Sequence, residues 1–141
     1  ASRLVAHDLA QKLMRVDKAC HLYDDWHDQL LCAKNMHEGD MAIAFSYSGL
    51  TREVLDCTVE AQRHNCSVVA VTKVDGSSKL ATMADAVLGG AASEPLVRSG
   101  AMASRMAQLM VVDALYAAYV ASDYERATHV IKQNYIEKQE R

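Results

Sequence analysis

The chain has 141 residues, half of them hydrophobic, with a formal net charge of −3 and an isoelectric point near 6.1. This length fits a single domain with a substantial core. The mild acidity argues against nucleic-acid binding by these residues, because such binding favours a clustered basic face. The four cysteines include no C-x-x-C pair, which indicates free thiols in a reducing compartment rather than a disulfide framework.

The sequence contains no pattern typical of membrane insertion. It opens on a mixed amphipathic segment rather than on a signal peptide. The longest apolar stretch, residues 106–121, contains Gln108 and Asp113 and falls short of the roughly 20 residues that span a bilayer. We therefore expect a soluble, cytoplasmic protein with no membrane partner.

Hydrophobic periodicity predicts helices that alternate with short strands. In chain order it predicts a helix at 2–16, a weak strand at 18–23, a helix at 26–36, a strand at 41–46, a helix from 52 to about 65, a strand at 67–72, a short helix at 80–84, a strand at 85–88, a long helix from Ser99 or Gly100 to 121, and a last helix at 124–135. This alternation predicts an α/β fold with a parallel sheet covered on both faces. Ligands of such sheets bind beyond the carboxyl ends of the strands.

The long helix is apolar almost all round, so we expect it to be buried on several sides. Met102, Met106 and Met110 recur along it at every fourth position. This spacing is typical of a stripe that packs in the core or in a dimer interface.

Residues 45–51, here called the serine loop, join a predicted buried strand to a predicted amphipathic helix. A helix N-terminus presents unpaired N–H groups and a partial positive charge, so anions bind there readily. The hydroxyls of Ser46, Ser48 and Thr51 add hydrogen-bond donors, and Gly49 permits close approach of the backbone. An ordinary capped turn, with serine or threonine as the N-cap, explains these residues equally well.

The pattern S-x-S-G-x-T-x-E in this loop resembles the phosphosugar-binding loop of SIS (sugar isomerase) domains. Residues 23–27, 94–105 and 1–10 resemble the SIS domain of RpiR-type bacterial transcription regulators. The resemblance covers nearly the whole chain and implies a three-layer α-β-α, flavodoxin-like domain over residues 1–141. It also implies that the family's first strand, the glycine turn after it and the helix-turn-helix DNA-binding domain are missing ahead of Ala1.

The resemblance further implies a site for a phosphorylated sugar. The serine loop would hold the phosphate, a residue of the first helix would add a contact, and a carboxylate would hold sugar hydroxyls. The ligand-binding residues implied in this way are Ser2, Ser46, Ser48, Gly49, Thr51, Glu94 and His27. From the residues alone, a solvated carboxylate at Glu94 and a capping or packing role for His27 remain open. No cofactor and no metal are expected, because Asp24, Asp25 and His27 have no second cluster with ligand spacing.

These features predict a sensing domain that binds a sugar phosphate as a homodimer and modulates DNA binding by the missing domain. The alternative is an aldose–ketose phosphosugar isomerase, which requires a base such as Glu94 or His27 to move a proton between adjacent carbons. A dinucleotide-binding fold is a third interpretation, but the chain contains no G-x-G-x-x-G motif.

Overall fold

The computed structural model of the protein describes residues 2–90 and 101–137. Its helices are α1 (Ser2–Met14), α2 (Trp26–Lys34), α3 (Arg52–Arg63), α4 (Lys79–Met83), α5 (Met102–Ser122) and α6 (Tyr124–Gln133). Its strands are β1 (Met41–Phe45), β2 (Ser67–Val71) and β3 (Ala86–Leu88). In these two stretches, none of the helices has the length and apolar character needed to cross a membrane.

The three strands form one parallel sheet in the order β1-β2-β3. Phe45 at the end of β1 lies opposite Val71 at the end of β2, which in turn lies opposite Leu88 at the end of β3. Parallel neighbours require crossover connections, and α3 and α4 supply them. The predicted α/β class is confirmed, and the carboxyl ends of all three strands meet at one edge of the sheet.

Alternate residues of β1 pack into two different layers, as the two-residue period of a strand requires. On one face, Ile43 and Phe45 pack against a core shared with α1 and α5. On the other face, Ala42 packs against a core shared with α3. The buried members of the two cores are Val5, Leu9 and Val112 on the first face, and Ala61, Cys66 and Val68 on the second.

The strand predicted at 18–23 is wrong. This segment connects α1 to α2 and belongs to no ladder of the described sheet, which ends at β1 and has three strands rather than four. A strand is stable only when a neighbour satisfies its backbone N–H and C=O groups. Here all residues but the half-buried Leu22 are exposed, so the segment gains too little from burial to order as a strand.

Helix α5 is buried along one stripe only, contrary to the expectation of burial on several sides. Ser104, Gln108 and Val112, spaced four residues apart, are its buried positions. The methionines of the stripe at 102, 106 and 110 are 60%, 61% and 72% exposed. Helices α1 and α6 are the neighbours that pack most against α5 in the described parts of the chain, so its methionine face lies open within one protomer.

Candidate functional site

The backbone of the serine loop is fixed by elements on both sides of it. Ser46 N donates to the carbonyl of Val71 at 3.1 Å, which extends the pairing of β1 with β2 beyond the strand ends. Lys73 N donates to the carbonyl of Tyr47 at 3.0 Å. Helix α4 adds a third bond, because Leu80 N donates to the carbonyl of Gly49 at 3.0 Å. The loop is therefore held in one conformation by its scaffold.

Gly49 occupies a position that a side chain would not fit. Its φ is +68°, a left-handed conformation that costs an L-residue energy. A Cβ at this position would lie 1.8 Å from Ser78 Oγ and 2.9 Å from Ser78 Cα. The glycine thus allows the N-terminus of α4 to pack directly under the loop.

The structure brings two of the three predicted hydroxyls into contact. Ser46 is buried, with its Oγ 2.9 Å from Thr51 Oγ1, and it also accepts a bond from Gly49 N at 3.1 Å. Ser48 is exposed, and its Oγ accepts from Leu50 N at 3.3 Å. The buried Ser46 hydroxyl accordingly stabilises the loop through these internal bonds, while Ser48 and Thr51 face solvent.

Thr51 occupies the N-cap position of α3 but does not cap it with its side chain. Its φ of −66° and ψ of 114° are extended, and no side-chain cap bond forms. The amides of the first turn of α3 therefore keep the donor capacity and partial positive charge of a helix N-terminus. Three other helices differ in this respect, because each has a side-chain cap: Asp25 for α2, Ser78 for α4 and Asp123 for α6.

Two supporting residues were not predicted from the sequence. Thr72 follows β2, is 2% exposed, donates from Oγ1 to the carbonyl of Tyr47 at 3.3 Å and lies 2.8 Å from Ser78 Oγ. Ser78 Oγ also accepts from Ala81 N at 3.1 Å, which caps α4. The available signals were a threonine at the carboxyl end of a strand and a serine in the Asp-Gly-Ser-Ser turn.

Lys73, which follows β2 at this edge, is already paired. The ammonium of Lys73 lies 2.9 Å from Asp75. Hydrogen bonds from Ser77, and then from Lys73, lower the pKa of Asp75 to about 2, so the carboxylate stays charged at neutral pH. Attraction of an anion to the serine loop therefore depends on backbone dipoles and hydroxyls more than on Lys73.

The other predicted site residues lie in different surroundings. Ser2, at the start of α1, donates from its hydroxyl to Gln108 Oε1 at 3.2 Å. Gln108 and Tyr47 line the same cleft, which connects Ser2 to the serine loop. His27 is exposed at the start of α2, and its backbone N donates to Asp25 Oδ1 at 2.8 Å. Glu94 lies outside the described residues.

The acidic pair at 24 and 25 has structural partners. Asp24 Oδ1 lies 2.8 Å from His7 Nε2 and 3.7 Å from Arg3 Nε, which ties the segment before α2 to α1. The hydrogen bond with His7, and then the charge of Arg3, lower the pKa of Asp24. Within residues 2–90 and 101–137, no three His, Cys, Asp or Glu side chains converge on a point where a metal could bind.

Comparison with known proteins places this geometry in a family. Residues 1–118 match the model of the SIS domain. The chain is 40% identical over 124 residues to the uncharacterized HTH-type transcriptional regulator TTE0211 of Caldanaerobacter subterraneus subsp. tengcongensis, covering 88% of this chain and 44% of that protein. It is 33% identical over 132 residues to the uncharacterized HTH-type transcriptional regulator YbbH of Bacillus subtilis, covering 93% and 46%.

Solved structures share the fold. The Vibrio vulnificus NanR protein complexed with ManNAc-6P superposes with a TM-score of 0.85 at 29% identity, covering 94% of this chain and 49% of that one. The sugar isomerase domain of the RpiR transcription factor from Sphaerobacter thermophilus gives 0.78 at 23% identity, covering 93% and 71%. The chain spans about half the length of the curated relatives it matches. By the match over residues 1–118 and by its fold, the chain belongs to the SIS domain family.

Proposed function

We propose that residues 1–141 are the effector-sensing domain of a transcription regulator and that this domain binds a sugar phosphate at the serine loop. The observation that carries the proposal is the fixed loop whose Thr51 hydroxyl bonds Ser46 instead of capping α3. A phosphate dianion would find the hydroxyls of Ser48 and Thr51 and the first-turn amides of α3 on one side of the loop. Charge-assisted bonds of this kind are among the stronger hydrogen bonds.

The relatives support this proposal. The matching part of two curated proteins lies in HTH-type transcriptional regulators, and the NanR structure holds ManNAc-6P. We infer that a helix-turn-helix domain outside this chain contacts DNA, and that Ser2, His27 and Glu94 hold the sugar portion of the ligand. The ligand can switch such a regulator only if it binds one arrangement of the protein better than another.

The first prediction tests the phosphate site. Ser48→Ala and Thr51→Ala should each weaken binding of a sugar phosphate by about tenfold to a hundredfold, because a hydrogen bond to a charged group contributes roughly 1.5–3 kcal/mol. The free energy of unfolding should change little for Ser48→Ala, since Ser48 is exposed, and by only about 1 kcal/mol for Thr51→Ala, which also removes the bond to the buried Ser46. Isothermal titration calorimetry with ManNAc-6P, glucose 6-phosphate and fructose 6-phosphate measures the effect.

Ser122→Ala is the matched control, because that exposed hydroxyl bonds only within α5, to the carbonyl of Tyr119. If both loop variants bind as tightly as the parent, the phosphate lies elsewhere. If the unphosphorylated sugar binds as well as its phosphate, the anion site itself is refuted. The same samples, followed by NMR, test the isomerase alternative: interconversion of aldose and ketose phosphates would favour the enzyme over the sensor.

We also propose that the domain forms a homodimer through the methionine face of α5. Met102, Met106 and Met110 form a contiguous exposed stripe on a helix of 21 residues. Contiguous apolar surface of this kind marks interaction sites, and methionine adapts well to packed interfaces.

The second prediction follows from this face. Met106→Glu should raise the dissociation constant of the dimer by at least about tenfold, because association would bury an unpaired carboxylate from each protomer. Met14→Glu at the end of α1, where the methionine is 68% exposed, is the control and should leave association unchanged. Sedimentation equilibrium at micromolar concentration measures both variants. A parent protein that sediments as a monomer would refute the interface.

A further inference from the structure

The buried stripe of α5 contains an amide with an unused hydrogen-bonding atom. Gln108 is 3% exposed, and its Oε1 accepts the bond from Ser2 Oγ. Its Nε2 is buried and has no hydrogen-bond partner among the described residues. Leaving a buried polar group unpaired destabilises a protein, so native proteins rarely do so without a reason.

The amide would keep an unused atom in either orientation. If the side-chain amide were turned by half a rotation, Nε2 would face Ser2 and Oε1 would be left unpaired. The group that completes the site must therefore accept a hydrogen bond from Nε2 in the first orientation, or donate one to Oε1 in the turned orientation. A hydroxyl does both, whereas a phosphate at neutral pH mainly accepts and an ammonium only donates.

The amide lines a cleft that adjoins the serine loop. The cleft lies between the carboxyl edge of the sheet and α5, and its cavity volume of ≈ 10 Å³ leaves room for about one water-sized group. Its other walls include Tyr47 of the serine loop, Thr72 after β2, and Gly89 with Gly90 after β3. The described residues that line it carry no charged side chain. It therefore suits a single neutral group, such as one hydroxyl of a ligand, rather than the phosphate.

We propose that Gln108 is a specificity-determining ligand residue, whose amide bonds a hydroxyl of the sugar while the serine loop holds the phosphate. Ser2 acts as a positioning residue, because its hydroxyl bonds the Gln108 amide in either orientation and so holds the side chain in place. This inference rests on the proposed function and extends it. It assigns one hydroxyl of the sugar to the cleft between α5 and the carboxyl edge of the sheet.

The test compares the two halves of the ligand. The intact protein is titrated with inorganic phosphate and with the tightest binder among ManNAc-6P, glucose 6-phosphate and fructose 6-phosphate. Gln108→Met keeps the length of the side chain but removes the amide. It should weaken binding of the sugar phosphate about three- to tenfold, as expected for loss of one neutral hydrogen bond. Affinity for inorganic phosphate should stay within about twofold of the parent, since the loop is untouched.

Thermal unfolding without ligand separates this role from a structural one. If the amide serves the ligand, Gln108→Met should unfold within a few degrees of the parent, because removal of the unpaired Nε2 offsets the loss of the bond from Ser2. Gln11→Met on the exposed side of α1 is the control and should change neither the unfolding temperature nor the affinity for the sugar phosphate. If Gln108→Met folds poorly, Gln108→Leu removes the same amide with a different shape.

Equal affinity of parent and Gln108→Met for the sugar phosphate would overturn the inference and leave a buried water as the partner of the amide. Equal weakening of sugar phosphate and inorganic phosphate would also overturn it, because the amide would then act on the loop. Ser48→Ala should weaken binding of both the sugar phosphate and inorganic phosphate. If it weakens binding of neither, that result counts against the phosphate site alone. If no sugar phosphate binds the parent, the proposed function fails and the inference fails with it.

Discussion

Replacing Gly49 with alanine is expected to lower the free energy of unfolding by about 2–5 kcal/mol and to abolish sugar-phosphate binding. An L-residue at a φ of +68° costs roughly 1–2 kcal/mol, and overpacking typically adds about 1–3 kcal/mol. The new Cβ would lie 2.9 Å from Ser78 Cα, a backbone atom that a rotamer change cannot move. The loop must therefore separate from α4, which breaks the bond from Leu80 N and displaces the hydroxyls.

Gly76→Ala separates conformational strain from the clash. Gly76 has a φ of +81°, but a Cβ there would meet nothing within 4 Å, so the expected loss is only about 1–2 kcal/mol. Urea denaturation of both variants measures the difference, and calorimetry with the sugar phosphate measures binding. If the two variants lose the same stability, or if Gly49→Ala still binds ligand, the close contact with α4 does not hold the loop.

The serine loop could be predicted from the sequence because its signal is local. An apolar strand, a glycine between hydroxyl residues and an amphipathic helix follow one another along the chain, so residues 41–63 determine where the loop emerges and which way α3 points. Parallel pairing then places the loop at the carboxyl edge of the sheet. The bounds of β1 and β2 differ from the prediction by one residue each.

The parts that could not be predicted depend on contacts between distant segments. The segment at 18–23 carries apolar residues, but only a neighbouring strand could show whether it pairs. Ser2 and Gln108 are 106 residues apart in the chain, and no periodicity joins them. In the sequence, Gln108 is a polar residue within the apolar run of α5, which predicts exposure. The structure instead places Gln108 on the buried stripe and the methionines at the surface.

The site is assembled from the ends of two neighbouring strands and from the helix that packs beneath them. The end of β1 supplies the hydroxyls, Thr72 after β2 ties the carbonyl of Tyr47 to Ser78, and α4 packs beneath Gly49. Ser48, unlike Thr51, which bonds the buried Ser46, takes no part in these supporting contacts. Mutations can in consequence separate affinity from stability, and Ser48→Ala should change only the first.

Leu80→Ala is expected to produce the opposite result, a loss of about 2–5 kcal/mol in the free energy of unfolding with little change in affinity. Leu80 is fully buried in α4, so truncation to alanine leaves a cavity. Its backbone N–H, which bonds the carbonyl of Gly49, is retained in the variant. Leu4→Ala, at a leucine that is 57% exposed on α1, is the matched control and should cost less than about 0.5 kcal/mol.

Urea denaturation gives the stability of both leucine variants, and titration at a temperature where Leu80→Ala is fully folded gives the affinity. The dissociation constant for the sugar phosphate should stay within about threefold of the parent, because no group that contacts the ligand has changed. A hundredfold loss of affinity in the folded variant would mean that packing beneath Gly49 sets the position of the hydroxyls. The loop would then be positioned by the side chain of Leu80 as well as by its backbone bond.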